Sequence, residues 1–225
     1  MVKKLGITGI VFLLLFIFVT IAVITDSLWV NRFDNTLTTL IQGQVTESGS
    51  SFVAVATDIA DFMAVTILTV ATVVILFVKR MYIASLWFGF TVLICAWFLM
   101  DTLKVVIGRD RPDELVITME SSLSYPSGHS IASVLFYGFL ALGLILIMKK
   151  SSYKIIAGIL ATLIILFVMA SRVYLGVHYP TDVIGGLFFG LGSILISASL
   201  YQLALPRLQQ WMKTKKWNDR SPSLG

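Results

Sequence analysis

Residues 5–25 read LGITGIVFLLLFIFVTIAVIT, a run without a single ionisable side chain. A helix rises about 1.5 Å per residue, so this stretch is long enough to cross roughly 30 Å of bilayer hydrocarbon. Lys3 and Lys4 ahead of it also suit a cleavable signal. The run is too long for the roughly 7–15 apolar residues of a signal peptide, however, and no small-x-small cleavage site follows it. It reads as a retained membrane helix. Working outward, five further apolar runs lie at 52–78, 82–100, 130–148, 155–170 and 182–203. They are continuous, whereas a membrane β-barrel needs alternating segments of about ten residues. The fold class expected is an all-α integral membrane protein with six transmembrane helices. We expect one membrane-embedded domain over 1–225, with its polar motifs in a core at 101–190 and a basic tail at 206–225.

Composition agrees. Of 225 residues, 57% are hydrophobic and 13% are charged, where soluble domains carry about 25% charged residues. Seventeen Lys+Arg and twelve Asp+Glu cannot make a water-facing surface for a chain this apolar. The one cysteine, Cys95, lies inside an apolar run, which excludes a disulfide scaffold. The net charge of +5 invites a nucleic-acid partner, but the positions of the charges argue against one. Twelve of the 17 basic residues fall at the N-terminus, in the second and fourth connections and in the tail: Lys3, Lys4, Lys79, Arg80, Lys149, Lys150, Lys154, Arg207, Lys213, Lys215, Lys216 and Arg220. The positive-inside rule then puts both termini in the cytoplasm and the first, third and fifth connections outside.

Two segments read as interfacial. Behind Asp26, a good N-cap, Trp29, Phe33, Leu37, Leu40 and Ile41 recur at helical spacing, and Gly43 can close the turn. This predicts a short amphipathic helix on the outer surface between the first two spans. After Pro206, Trp211 and Trp217 alternate with Lys213, Lys215 and Lys216, as suits a headgroup layer. Only the last few residues read as disordered.

Outer connections have no topological need for positive charge, yet Lys104, Arg109, Arg111 and Arg172 cluster in two of them, together with both histidines. A polyanionic group explains this, because Arg offers a planar fork to phosphate oxygens and Lys a point charge. Ser127-Gly128-His129 precedes the fourth apolar run, so a helix starting there would present backbone N–H groups and a hydroxyl to an anion. Asp182 lies four residues after His178, close enough to hold one imidazole nitrogen and leave the other basic. Two histidines at one anion site suggest a nucleophile and a proton donor.

Three blocks in order, Lys104-x6-Arg111-Pro112, Pro126-Ser127-Gly128-His129 and Ser171-Arg172-x5-His178-x3-Asp182, resemble the signature of the type 2 phosphatidic acid phosphatase superfamily. The resemblance is sharpest from Lys104 to Asp182. It implies His178 as nucleophile forming a phosphohistidine, Asp182 orienting it, and His129 as general acid for the leaving alcohol. It also implies Lys104, Arg111, Ser127, Gly128 and Arg172 as phosphate-binding residues, with no metal and no cofactor. The implied partners are the bilayer and a membrane lipid phosphate such as phosphatidylglycerol phosphate, phosphatidic acid or undecaprenyl diphosphate. The implied site faces outward from a cytoplasmic membrane. A lipid headgroup or phosphoryl transferase with the same site is the nearest alternative; an anion transporter is more distant, since no repeat or midplane charge is visible.

Several residues keep two readings. Arg109 reads as a headgroup anchor, and Asp110 as a charge trimming the local potential. Asp101 either pairs with Lys104 one turn away or sits on a helix surface. Asp58 and Asp61 either line the headgroup pocket or are wet at the interface, the latter being the better reading. Gly186 and Gly190 are spaced for close helix packing, or, less well, for a dimer face.

Overall fold

The computed structural model describes residues 2–113, 117–118, 120 and 122–223. Among the described residues ten α-helices occur: α1 (Val2–Ile24), α2 (Leu28–Gln42), α3 (Glu47–Thr57), α4 (Phe62–Val78), α5 (Tyr82–Leu93), α6 (Met100–Ile107), α7 (Gly128–Ser133), α8 (Phe139–Ile147), α9 (Ser151–Tyr174) and α10 (Pro180–Thr214). Six stretches are long and apolar enough to cross a membrane, in agreement with the six expected. No strand occurs among the described residues. Leu14, Phe18, Leu86, Leu163 and many others expose large apolar side chains, the surface a lipid solvent requires.

The boundaries depart from expectation in several spans: the fifth runs Ser151–Tyr174 and not 155–170, and the others differ for local reasons. The second span begins at Glu47, capped by Thr46, and is broken by a 3-10 turn at Asp58–Ala60. Asp61 then caps α4, its Oδ2 accepting from the Met63 N–H at 3.1 Å. The third span continues past residue 100, because a π turn over Ile94–Leu99 links α5 to α6. Lys104 is therefore on a helix and not in a connection. Gly108, at φ +69°, stops α6 in the left-handed conformation that glycine adopts without strain. The fourth span also carries a π turn, at Val134–Gly138. The last helix does not end at residue 203 but runs through Pro206 to Thr214. Leu205 and Met212 are buried against Ile83 and Tyr201, and this packing offsets the backbone hydrogen bond that proline removes.

The segment after α10 folds back under the third span. Asp219 Oδ1 accepts from the Ile83 N–H (3.1 Å) and Ser221 Oγ from the Ala84 N–H (2.9 Å), so this segment caps α5. Tyr201 donates to the Pro222 carbonyl, and Trp217 packs edge-on against Tyr82. The expected disorder of the final residues falls partly on Leu224 and Gly225, which lie outside the described residues.

Helix α1 lies along α10, Gly186 brings α10 against α7, and Gly190 brings it against the π turn that follows. A Cβ on Gly186 would sit 2.8 Å from Ser130 Cβ, and one on Gly190 2.7 Å from Val134 Cγ1. The small-residue pair thus serves packing within the chain. The amphipathic helix is α2, but its cap is Ser27; Asp26, at φ +48°, instead accepts from Asn31 Nδ2. Trp29 and Leu40 are exposed as an anchor would be, while Val30 and Asp34 turn inward and are buried.

Candidate active site

Lys104 on α6, His129 on α7, Arg172 on α9 and Asp182 on α10 converge at one end of the bundle, with Arg109, Arg111 and His178 in the adjoining connections. The sequence builds this convergence by ending each helix there. Asp182 closes half of a capping box by accepting from the Tyr179 N–H, with Pro180 at the first position of α10, which fixes Asp182 one turn into the helix. His178 stands just before that box. Its Nδ1 lies 3.3 Å from Asp182 Oδ2, and both residues are buried. Asp182 Oδ2 also accepts from the Tyr179 N–H at 2.9 Å and from the Ser124 hydroxyl. With Nδ1 directed at the carboxylate, Nε2 faces the cations: Arg111 Nη1 is 3.3 Å away. Burial holds the His178 imidazole neutral, its pKa pulled down to about 4 against the opposing pull of Asp182.

The cations are tied to one another through small acceptors. Arg111 donates to the carbonyls of Ser122 and Val177, both at 2.6 Å. Ser122 Oγ accepts from Lys104 Nζ and from Arg111 Nη2, both at 3.0 Å. Lys104 thus turns toward Ser122 and not toward Asp101, which is exposed. Glu120 bridges the other two cations, its Oε1 bonded to Arg172 Nη2 and its Oε2 3.7 Å from Arg111 Nη2. Arg172 is 3% exposed, and its Nε is a buried donor with no hydrogen-bond partner among the described residues. An unsatisfied guanidinium N–H of this kind costs about 1–3 kcal/mol, more for a charged group, and an entering oxyanion relieves that cost.

Ser127 is fully buried and acts chiefly as the N-cap of α7, its Oγ accepting from the Ser130 N–H and hydroxyl. Gly128 follows at the mouth, with Met100 Cε 3.3 Å from where a Cβ would stand. His129 is partly exposed, and its Nε2 is 4.0 Å from Asp61 Oδ1. Asp61 therefore does stand at the site; Asp58 is exposed on the preceding turn.

Two functional residues escape a reading of the sequence. Arg109, which reads as an anchor, is instead a bolt. Its Nη1 donates to Asp182 Oδ1 (2.6 Å) and to Thr181 Oγ1 (2.8 Å), and its Nη2 to Asp34 Oδ2 (2.7 Å). Asp34 also accepts from the Thr181 N–H and hydroxyl, both at 2.8 Å, and so caps α10 from a different helix. Burial raises the Asp34 carboxyl pKa even though Arg109 and Thr181 favour its charged form. Burial alone would lower the Arg109 pKa, but Asp182 and Asp34 outweigh it and hold the guanidinium firmly charged. Nothing in the local pattern around Asp34 signals this, because its partner is 75 residues away.

A six-span helical bundle with a histidine–carboxylate pair set among clustered cations defines an anion-handling membrane enzyme fold. Residues 84–205 match the PAP2 superfamily, and the chain belongs to it. Over 98 residues it is 45% identical to phosphatidylglycerophosphatase B of Bacillus subtilis, covering 41% of this chain and 46% of that protein. It is 32% identical over 128 residues to lipid A 1-phosphatase of Rhizobium etli, covering 51% of each. The chain thus spans about half the length of the curated relatives it matches. Among solved structures, the transmembrane PAP2-type phosphatidylglycerolphosphate phosphatase from Bacillus subtilis superposes with a TM-score of 0.72 at 25% identity, over 90% of this chain and 98% of that one. LpxE from Aquifex aeolicus shares the fold, with a TM-score of 0.54 at 22% identity over 72% of this chain and 92% of that one.

Proposed function

We propose that this protein is a lipid phosphate phosphatase that removes the terminal phosphate of a membrane lipid through a phosphohistidine on His178. The observation carrying the reading is the buried His178–Asp182 pair, with Nε2 turned toward Arg111 in a cluster that also holds Lys104 and the unsatisfied Arg172 Nε. The lipid's terminal phosphate takes the place of the Glu120 carboxylate among the cations. His178 Nε2 attacks phosphorus while the bond from phosphorus to the leaving oxygen breaks, and His129 gives that oxygen its proton. Water then attacks the phosphohistidine, returning its proton to His129, and orthophosphate leaves with His178 regenerated. Lys104, Arg111, Arg172 and the Gly128 backbone spread the charge of the transferring group. Arg109, Asp34 and Ser124 hold Asp182, which in turn holds His178. Phosphatidylglycerol phosphate, phosphatidic acid and undecaprenyl diphosphate all carry a suitable terminal phosphate. The distribution of Lys and Arg supports an outward-facing site in a cytoplasmic membrane with both termini inside.

The test is phosphate release from these three lipids by the purified protein with EDTA present, beside His178→Ala. Release that His178→Ala abolishes, with acid-labile phosphate trapped on the wild-type chain, supports the reading, and the ratio of rates names the substrate. A folded protein that releases no phosphate from any of them refutes it.

A further inference from the structure

A second binding site lies away from the catalytic end. Between the third and last spans, closed at one side by Leu13 of α1, is a cavity of about 1090 Å³. That is at or above the top of the range of about 300–1,000 Å³ typical of small-molecule sites. It extends along the third span from Leu99 to Tyr82, 17 residues, or about 26 Å at helical rise. Its walls offer hydrocarbon, chiefly Leu86, Phe90, Ile94, Ile196 and Leu200. Polar groups in the wall satisfy one another: Ser197 Oγ takes the Trp87 indole N–H at 2.9 Å and bonds Thr91 Oγ1 at 2.7 Å. The wall therefore has little to offer a headgroup.

Charge appears at one end alone. Among the described residues lining the cavity, Lys215 is the one Lys, Arg, Asp or Glu, and it stands beside Trp211 and Trp217 at the end remote from His178. Both tryptophans are at least half exposed, as interfacial anchors are. At the other end, the cavity stops at Leu99 and Phe189, short of the site. Buried Met100, Ile131 and Val183 belong to the core beside that end.

We propose that this cavity is a binding site for an anionic phospholipid of the leaflet opposite the active site, its headgroup on Lys215 and an acyl chain along the third span. An apolar cavity of this size in a bilayer does not hold water stably, and left empty it forfeits the dispersion contacts of its whole lining. A chain entering from the lipid fills it. The single cation at the mouth selects an anionic head, because each Lys near a membrane surface favours anionic lipid by about 1 kcal/mol, or about fivefold. The proposal goes beyond the phosphatase reading and does not depend on it.

Trp87, Trp211 and Trp217 line the cavity, whereas Trp29 stacks on Phe18 and Trp97 meets Phe62 edge-on. A Trp29→Phe/Trp97→Phe protein therefore reports from the cavity through fluorescence. It is reconstituted in phosphatidylcholine vesicles containing either dibrominated phosphatidylglycerol or dibrominated phosphatidylcholine at equal mole fraction. Bromine quenches indole on contact. The expected result is an apparent affinity about fivefold higher for phosphatidylglycerol. Lys215→Glu abolishes this preference, and Lys213→Glu, two residues earlier and outside the lining, leaves it intact. Equal quenching by the two lipids overturns the proposal, as does a preference lost equally in both variants, which is the mark of diffuse surface attraction. Quenching by brominated phosphatidylcholine alone at full mole fraction checks that each variant remains folded and lipid-accessible; a variant that fails it is replaced by Lys215→Gln, for which the same two outcomes decide.

Discussion

Replacing Asp34 tests whether the surface helix α2 anchors the protein or organises its chemistry. Asp34 accepts three hydrogen bonds, one from Arg109 and two from Thr181. In Asp34→Asn the amide oxygen still caps the Thr181 N–H, so the principal loss is the charged bond to Arg109. Hydrogen bonds to charged groups contribute about 1.5–3 kcal/mol. Arg109 then keeps Asp182 as its carboxylate partner beside the Thr181 hydroxyl, and the carboxylate that orients His178 loses its opposing brace. If half of the lost energy reappears as misplacement of Asp182, about 0.8–1.5 kcal/mol enters the barrier and kcat falls about fourfold to twelvefold. KM stays within about twofold, because Asp34 touches none of the phosphate-binding side chains. Asp34→Ala removes all three bonds, strands part of a buried cation and costs about 3–5 kcal/mol of stability as well. The assay is kcat and KM for phosphate release in mixed micelles, alongside the thermal midpoint of each variant. A wild-type kcat in Asp34→Asn would refute the reasoning and return α2 to the role of an anchor.

Three further outcomes follow from the site. The His178 pKa lies near 4 in the folded protein against an ordinary 6.5. The folded state therefore binds fewer protons, so the neutral imidazole's stabilisation is complete above pH 6.5 and is lost as pH falls toward 4, up to about 3 kcal/mol. The acid limb of kcat/KM should fall near pH 4, and a limb at 6.5 would contradict the buried, neutral nucleophile. Asp61→Asn keeps the cap on α4, since Asn caps as well as Asp, but removes a carboxylate 4.0 Å from His129 Nε2. Asp61 is an acidic group on the His129 side of the site, so losing it should lower kcat several-fold with KM little changed; an unchanged kcat would confine Asp61 to capping. Glu120→Gln should lower KM several-fold with kcat unchanged, because substrate no longer displaces a carboxylate from Arg172 and Arg111. A raised KM would mean that Glu120 assembles the cations rather than competing for them.

The sequence exposes the six spans because each is decided by its own apolar run, and it exposes His129, His178, Asp182, Lys104, Arg111 and Arg172 because chemistry-bearing residues are rare in such a chain. What it hides depends on partners distant along the chain or on single hydrogen bonds. Asp34 looks like any polar residue of an amphipathic helix until Arg109 and Thr181 are brought to it. Asp61 ends one helical segment and begins another through a single bond to Met63, inside a stretch that still reads as one membrane span. The π turns at Ile94–Leu99 and Val134–Gly138 alter hydrogen-bond register without changing composition. Ser127 sits in a motif that reads as a phosphate ligand, yet its oxygen is engaged in starting α7.

The clasp formed by Asp219 and Ser221 on the first turn of α5 has a consequence for biosynthesis. The amides of Ile83 and Ala84 find their partners 136 and 137 residues later in the chain. Helix starts leave such N–H groups unsatisfied until something caps them, and chains are made from the N-terminus forward at about 5–20 residues per second. The third span therefore inserts with an open first turn and stays so for several seconds. Until Asp219 and Ser221 emerge, the partner they will cap is present and waiting, and a ribosome paused within α10 leaves the bundle unlatched at its basic end.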